Sequence, residues 1–179
     1  ADAGYYVGTT AQTSQTACSV GTYQASTGQT ECDDADAGYY VDDTAQATQT
    51  ACIPGRYQPD TKQSSCLSPD AGYYVDSTAA TSQTPCAVGT YQPDSTFQSS
   101  CLITDAGYYV DSTAATSQTA CAAGSYQTYT GQASCDDADA GYYVDDTASI
   151  SQSQCGYGTY QGSTGQTSCD DADAGYYVD

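Results

Sequence analysis

The chain has 179 residues, with 22 acidic side chains against two basic ones, a formal charge of −20, 10 cysteines, 19 tyrosines, one phenylalanine, and no histidine, methionine or tryptophan. So little bulky aliphatic surface excludes one large hydrophobic core, and so acidic a surface repels phosphate and argues against nucleic-acid partners. Composition of this kind ordinarily means disorder; cysteines and tyrosines held in register point the other way.

In chain order, residues 1–17 open with Gly4-Tyr5-Tyr6-Val7, whose aromatic and β-branched residues suit a strand. A turn at Gly8-Thr9-Thr10-Ala11 follows, and Gln15-Thr16 approaches Cys18 as the returning limb. From Cys18 to Cys32 the expected limbs are Thr22-Tyr23-Gln24 and Gln29-Thr30-Glu31, joined by Ala25-Ser26-Thr27-Gly28. Gly28 suits a positive φ. Lys62 and Phe97 hold the same place later, so the turn there either differs or tolerates a side chain. From Cys32 the chain runs through Asp33-Asp34-Ala35-Asp36-Ala37 and Gly38-Tyr39-Tyr40-Val41, turns at Asp42-Asp43-Thr44 and returns along Gln46 to Ala51.

This text then repeats. Gly4, Gly38, Gly72, Gly107, Gly141 and Gly175 stand 34, 34, 35, 34 and 34 residues apart. The expected segments are a partial repeat 1–17, repeats 18–51, 52–85, 86–120 and 121–154, and a partial repeat 155–179. Each copy holds a weaker repeat of 17, whose second half reads as the first with alanine for its opening cysteine and a loop three residues longer. The expected fold is small, disulfide-rich and mainly β, an elongated linear array of short β-hairpins with no single globular core. ADAGYYV stands at both ends, so the text reads as a window on a longer array; it opens on no signal-peptide pattern and has no stretch apolar enough to insert in a membrane.

Without histidine or a CxxC pair, disulfides are the default for the cysteines, which places the chain outside the cell or on its surface. Joining Cys18 to Cys32, Cys52 to Cys66, Cys86 to Cys101, Cys121 to Cys135 and Cys155 to Cys169 uses all ten in short loops. The competing scheme joins Cys32 to Cys52 and onward, and leaves Cys18 and Cys169 to other partners. Two residues after each glycine, Tyr23, Tyr40, Tyr57, Tyr74, Tyr91, Tyr109, Tyr126, Tyr143, Tyr160 and Tyr177 form an expected spine of amphipathic rings. Gln29, Gln49, Gln63, Gln83, Gln98, Gln118, Gln132, Gln152 and Gln166 stand three before a cysteine, placed to satisfy backbone groups between adjacent hairpins.

No catalytic site is expected: repetition sets the same few groups at intervals instead of converging unlike groups in one pocket. No cofactor is required. Asp33, Asp34 and Asp36, with their copies Asp136, Asp137 and Asp139, are candidate oxygen ligands for calcium, against a plain solvated acidic face. Thr44, Thr48, Thr50, Thr78, Thr81, Thr84, Thr113, Thr116 and Thr119 are candidate acceptors of O-linked glycans, whereas asparagine is absent and N-linked sites cannot occur.

The half-unit Cys18-Ser19-Val20-Gly21-Thr22-Tyr23 to Thr27-Gly28-Gln29-Thr30-Glu31-Cys32 resembles the cysteine-rich repeats of ephrin-receptor-like ectodomains. Cys52-Ile53-Pro54-Gly55 and Cys155-Gly156-Tyr157-Gly158-Thr159-Tyr160 match that opening, and Gly165-Gln166-Thr167-Ser168-Cys169 the close. The family's third cysteine is replaced by Ala35, Pro69, Thr104, Ala138 and Ala172, so its link between units is lost. The resemblance implies an extracellular array of disulfide-pinned hairpins serving as spacer, adhesion surface or receptor stem, with no catalytic residues. Close identity between copies favours a structural rod, filament or fibre that associates with itself or with neighbouring repeats of its own chain. The alternative is an adhesin or receptor-stem module, stabilised by calcium and recognising glycans or cell-surface proteins, with copy two, bearing Arg56, Lys62 and Pro69, as the departing face.

Overall fold

The computed structural model describes residues 1–174. They form an all-β, disulfide-rich chain of two-residue strands paired antiparallel in hairpins, and no helix occurs among them. Residues cluster into two compact units, the first Ala1–Thr84 with Asp94–Ser100, the second Pro85–Pro93 with the chain from Cys101 onward. In the first unit β1 (Tyr5–Tyr6) pairs with β2 (Thr16–Ala17), β3 (Thr22–Tyr23) with β4 (Asp33–Asp34), and β5 (Tyr39–Tyr40) with β6 (Thr50–Ala51); β7 (Tyr73–Tyr74) pairs with β8 (Thr84–Pro85). A single bridge, Tyr57 to Leu67, stands in for strands in the Cys52 hairpin. In the second unit β9 (Thr90–Tyr91) pairs with β10 (Leu102–Ile103), β11 (Tyr108–Tyr109) with β12 (Thr119–Ala120), β13 (Ser125–Tyr126) with β14 (Asp136–Asp137), β15 (Tyr142–Tyr143) with β16 (Ser153–Gln154), and β17 (Thr159–Tyr160) with β18 (Asp170–Asp171).

The register corrects two expectations. Thr22 faces Asp34 and Tyr23 faces Asp33, so the closing strand follows Cys32, while Gln29-Thr30-Glu31 belongs to the turn. Tyr39 faces Ala51 and Tyr40 faces Thr50 in the same register. The two halves of a copy are therefore equal in length, and Gln49 occupies the place of Cys32. The extra three residues come from aligning Cys52 with Cys32; aligning Gly38 with Gly21 removes them.

A lone two-residue hairpin cannot hold itself together in water. Here each hairpin is joined to the next by its backbone. In the first unit the N–H of Gly21 donates to the carbonyl of Val41 at 2.8 Å, that of Gln24 to Gln46 at 3.0 Å, and that of Ala45 back to Cys18 at 2.9 Å. In the second unit the same three bonds run from Gly107 to Gln127 (2.7 Å), from Val110 to Gln132 (3.0 Å) and from Gly131 to Thr104 (3.0 Å). At Gln24, Val41, Gln58, Val75, Val110, Gln127 and Val144 the residue three after the glycine thus uses both its backbone groups on neighbouring hairpins, and its side chain is the core. Val41, Val75, Val110 and Val144 are buried there in alternate hairpins, and Gln24, Gln58, Gln92 and Gln127 in the others. The hairpin-opening residue is the second buried position, occupied by Cys18, Ala35, Cys52, Cys86, Thr104, Cys121 and Ala138 in turn, with Pro69 in the same role. With only small side chains in so thin a core, the backbone hydrogen bonds carry the specificity of stacking.

The conserved geometry at glycine has a steric reason. Gly38 has φ +86°, and a Cβ built on it would lie 2.3 Å from the carbonyl oxygen of Ala79, two hairpins further along. Gly124 meets Gly165 in the second unit in the same way, at 2.3 Å. The partner in each case is the left-handed turn residue: Ala45, Lys62, Ala79 and Phe97 in one unit, Gly131, Ala148 and Gly165 in the other. Lys62 at φ 61° and Phe97 at φ 52° settle the question left open by their replacement of glycine: the turn keeps its geometry and tolerates the side chain. The added residue of the Cys86 hairpin falls between Gly89 and Phe97 and is absorbed in the turn.

Candidate functional site

Two closures alternate along the chain. In the cysteine hairpins Cys18 is joined to Cys32, Cys52 to Cys66, Cys86 to Cys101, Cys121 to Cys135 and Cys155 to Cys169, with Cα atoms 5.8 to 5.9 Å apart. In the hairpins between them a glutamine does this work. Gln49 Oε1 accepts from the Asp36 N–H at 2.7 Å, and its Nε2 donates to Asp36 Oδ2 at 2.6 Å. The same clamp joins Gln15 to Asp2, Gln83 to Asp70, Gln118 to Asp105 and Gln152 to Asp139. A side-chain amide matches this task because it offers an acceptor and a donor side by side.

The glutamines before the cysteines therefore divide in two, and neither set acts as expected between hairpins. Gln49, Gln83, Gln118 and Gln152 clamp their own hairpin. Gln29, Gln63, Gln98, Gln132 and Gln166 each donate to a threonine carbonyl two residues back, in their own turn. Their backbone carbonyls reach a neighbour, accepting from Val7, Val41, Val75, Val110 and Val144, and the Gln132 N–H donates to Thr104 Oγ1 at 3.1 Å. A third set was missed altogether. Buried Gln58 donates Nε2 to the Ser65 carbonyl at 2.8 Å and accepts the Asp60 N–H at 3.2 Å; Gln24 and Gln127 do likewise. The signal for it was present: glutamine directly after the Gly-x-Tyr of every cysteine hairpin, where valine stands in the others. No buried side-chain nitrogen or oxygen among the described residues lacks a partner.

Of the tyrosines two after each glycine, those from Tyr23 to Tyr143 are half-buried and Tyr160 is exposed; Tyr177 lies outside the described residues. Among the described residues the ring contact is that of Arg56 over Phe97, and no tyrosine ring stacks on another. Burial raises the Tyr23 phenol above its ordinary value, with Asp36 and then Asp33 adding to the shift. Tyr126 is raised by burial and then by Asp139 and Asp136.

The acidic run is divided between neighbours. Asp33 and Asp34 form β4 and, as successive strand residues, point to opposite faces. Asp33 accepts from Gln24 at 3.3 Å, Asp34 pairs with Lys62 Nζ at 3.1 Å, and Asp36 is held by Gln49. Asp136 and Asp137 lie in β14, and Asp139 is held by Gln152. Among the described residues no three histidine, cysteine, aspartate or glutamate side chains gather as a metal site would require. The nine threonines, from Thr44 to Thr119, are all exposed.

Both cations of copy two are engaged within the chain. Lys62 pairs with Asp34 two hairpins back; the Arg56 guanidinium lies 4.0 Å from the centroid of Phe97 and donates Nη1 to the Cys66 carbonyl at 2.9 Å. Pro69 is buried at the opening position. Part of this copy's departure is therefore packing: turn residues Lys62 and Phe97 each meet a partner on the hairpin two before. The same hairpin carries Ile53 and Leu67, exposed by 58% and 44% where Cys18's hairpin has Ser19 and Asp33.

The chain matches no protein-family model and no curated protein. What stands is the architecture, tandem disulfide-pinned β-hairpins; the likeness to ephrin-receptor-like repeats rests on the residues quoted for it.

Proposed function

We propose that this chain is a structural repeat of an extracellular or cell-surface fibre or filament, a spacer whose exposed threonines carry O-linked sugars. The observation that carries the reading is the recurrence of one set of backbone hydrogen bonds at successive junctions within each unit, from Gly4–Gln24 to Gly55–Val75 and from Gly89–Val110 to Gly141–Gln161. Such a chain gains stability by adding neighbours, as repeat proteins do, and needs no core of its own. Five disulfides suit an oxidising compartment. The resemblance to ephrin-receptor-like repeats supports an ectodomain setting, and the stretch of hydroxyl-bearing side chains on turns supports glycosylation.

Electron microscopy of native material, with intact-mass measurement of the purified chain, tests both parts. Filaments decorated by an antibody to this segment, and a mass above that of the bare 18.5 kDa polypeptide, are expected. A dispersed monomer on no surface and in no fibre overturns the structural role; a bare mass overturns the sugars.

A further inference from the structure

Two shallow grooves lie within the first unit, each between a cysteine hairpin and the hairpin before it. The one at Tyr6 has a volume of about 430 Å³ and is lined by Ser19, Thr22, Glu31, Asp34 and Lys62. The one at Tyr40, about 400 Å³, has different chemistry: Ile53 replaces Ser19, Arg56 replaces Thr22 and Ser65 replaces Glu31. Asp42 lines it as well. Arg56 and Asp42 share the groove without forming an ion pair, and the Asp42 carboxylate has no hydrogen-bond partner among the described residues. Nη1 of Arg56 is used by the Cys66 carbonyl and one ring face by Phe97, which holds the guanidinium in place and leaves its other donors available.

From this juxtaposition of Tyr40, Asp42, Ile53 and Arg56 we propose that the groove binds a neutral saccharide, one or two pyranose rings of a glycan. A held guanidinium and an unpartnered carboxylate supply donor and acceptor together, which is what vicinal hydroxyls require, since each hydroxyl both donates and accepts. The tyrosine ring and Ile53 supply apolar surface for the C–H face of a sugar. The volume falls in the range of small-ligand sites. Charge selects among ligands: the groove's own charges cancel, so an ionic ligand gains from one and loses to the other, and an anion also meets the field of a chain at −20. The proposal is independent of the structural role, because a fibre repeat without sugar affinity refutes only this site.

Saturation-transfer NMR on the oxidised 179-residue chain tests it, with methyl glycosides of mannose, galactose, glucose and N-acetylglucosamine as probes and methyl glucuronide as the charged comparison. Transfer to at least one neutral glycoside is expected, falling about tenfold in Asp42→Ala, the weight of one hydrogen bond to a charged group. Asp42 is exposed and unbonded, so this variant folds. Arg56→Lys, which keeps the charge and loses the planar fork, is expected to weaken transfer as well, while Lys62→Ala in the neighbouring groove leaves it unchanged. No transfer to any neutral glycoside, equal transfer in Asp42→Ala, or stronger binding of the glucuronide overturns the proposal.

Discussion

Substituting alanine for Gly38 and for Gly28 separates the two demands that this fold places on glycine. Both have positive φ, +86° and +74°, so either alanine pays for a left-handed backbone, about 1–2 kcal/mol. At Gly28 little more follows, because a Cβ there meets nothing within 4 Å and Ala45, Ala79, Ala114 and Ala148 already hold that turn position. At Gly38 the Cβ would stand 2.3 Å from the Ala79 oxygen and 2.8 Å from its carbonyl carbon, and backbone cannot swing aside as a flexible side chain can. Relief requires the turn two hairpins on to retract, which loosens the Ala79 to Cys52 and Gly38 to Gln58 bonds. At about 1 kcal/mol for each of these, Gly38→Ala is expected to cost about 3–4 kcal/mol and Gly28→Ala about 1–2 kcal/mol. Urea unfolding of the oxidised chain measures the difference, and amide exchange locates it: the Ala79 N–H should lose protection in Gly38→Ala only. Equal losses at the two sites, or full protection at Ala79, would refute the claim that second-neighbour contact excludes a side chain.

Three further outcomes follow from the alternating closures and the core. Because Ala35 and Gln49 occupy the places of Cys18 and Cys32, the double variant Ala35→Cys, Gln49→Cys should form a sixth disulfide, visible by non-reducing peptide mapping, and raise stability by about 3 kcal/mol less the lost clamp; free thiols in the folded variant would show the equivalence to be false. Gln58→Val should cost about 1–2 kcal/mol although valine fills the same site in alternate hairpins, because the Ser65 carbonyl and Asp60 N–H lose their partners; an unchanged urea midpoint would show that water replaces the amide. Tyr23 and Tyr126 should ionise above the ordinary tyrosine value in an ultraviolet alkaline titration of the oxidised chain. Their folded values lie above the ordinary 10.0, so the stability they contribute is whole below that pH and is lost as pH rises through the higher folded values; loss of both ionisations in Tyr23→Phe, Tyr126→Phe with no change in the titration above that value would remove the effect.

The hairpin architecture was legible because glycine, tyrosine and cysteine recur in register and each marks a backbone event. The equality of the two half-units was not, since cysteine is the most conspicuous landmark and Cys52 was matched to Cys32 in place of Gln49. Two side chains as unlike as a thiol and an amide close the same loop, and only the strand register reveals that they do. The closing strands escaped notice for a related reason. Asp33-Asp34 has poor intrinsic strand preference and is drawn into β4 by the disulfide beside it and by the Ala35 to Gly21 bond behind it. Buried Gln24, Gln58, Gln92 and Gln127 were hidden by their polarity, in a chain too poor in aliphatic residues to fill every core site with valine. The acidic triplets looked contiguous in text, yet each is divided between two hairpins, and in the first Asp33, Asp34 and Asp36 already have partners in Gln24, Lys62 and Gln49.

The strict alternation of valine and glutamine at the buried position, in step with clamp and disulfide, also governs how such a gene can lengthen or shorten. Losing or duplicating a pair of hairpins restores the same order at the splice, whereas a change of one hairpin would set two like neighbours side by side. Recombination between copies in double steps therefore keeps the alternation of clamp and disulfide intact.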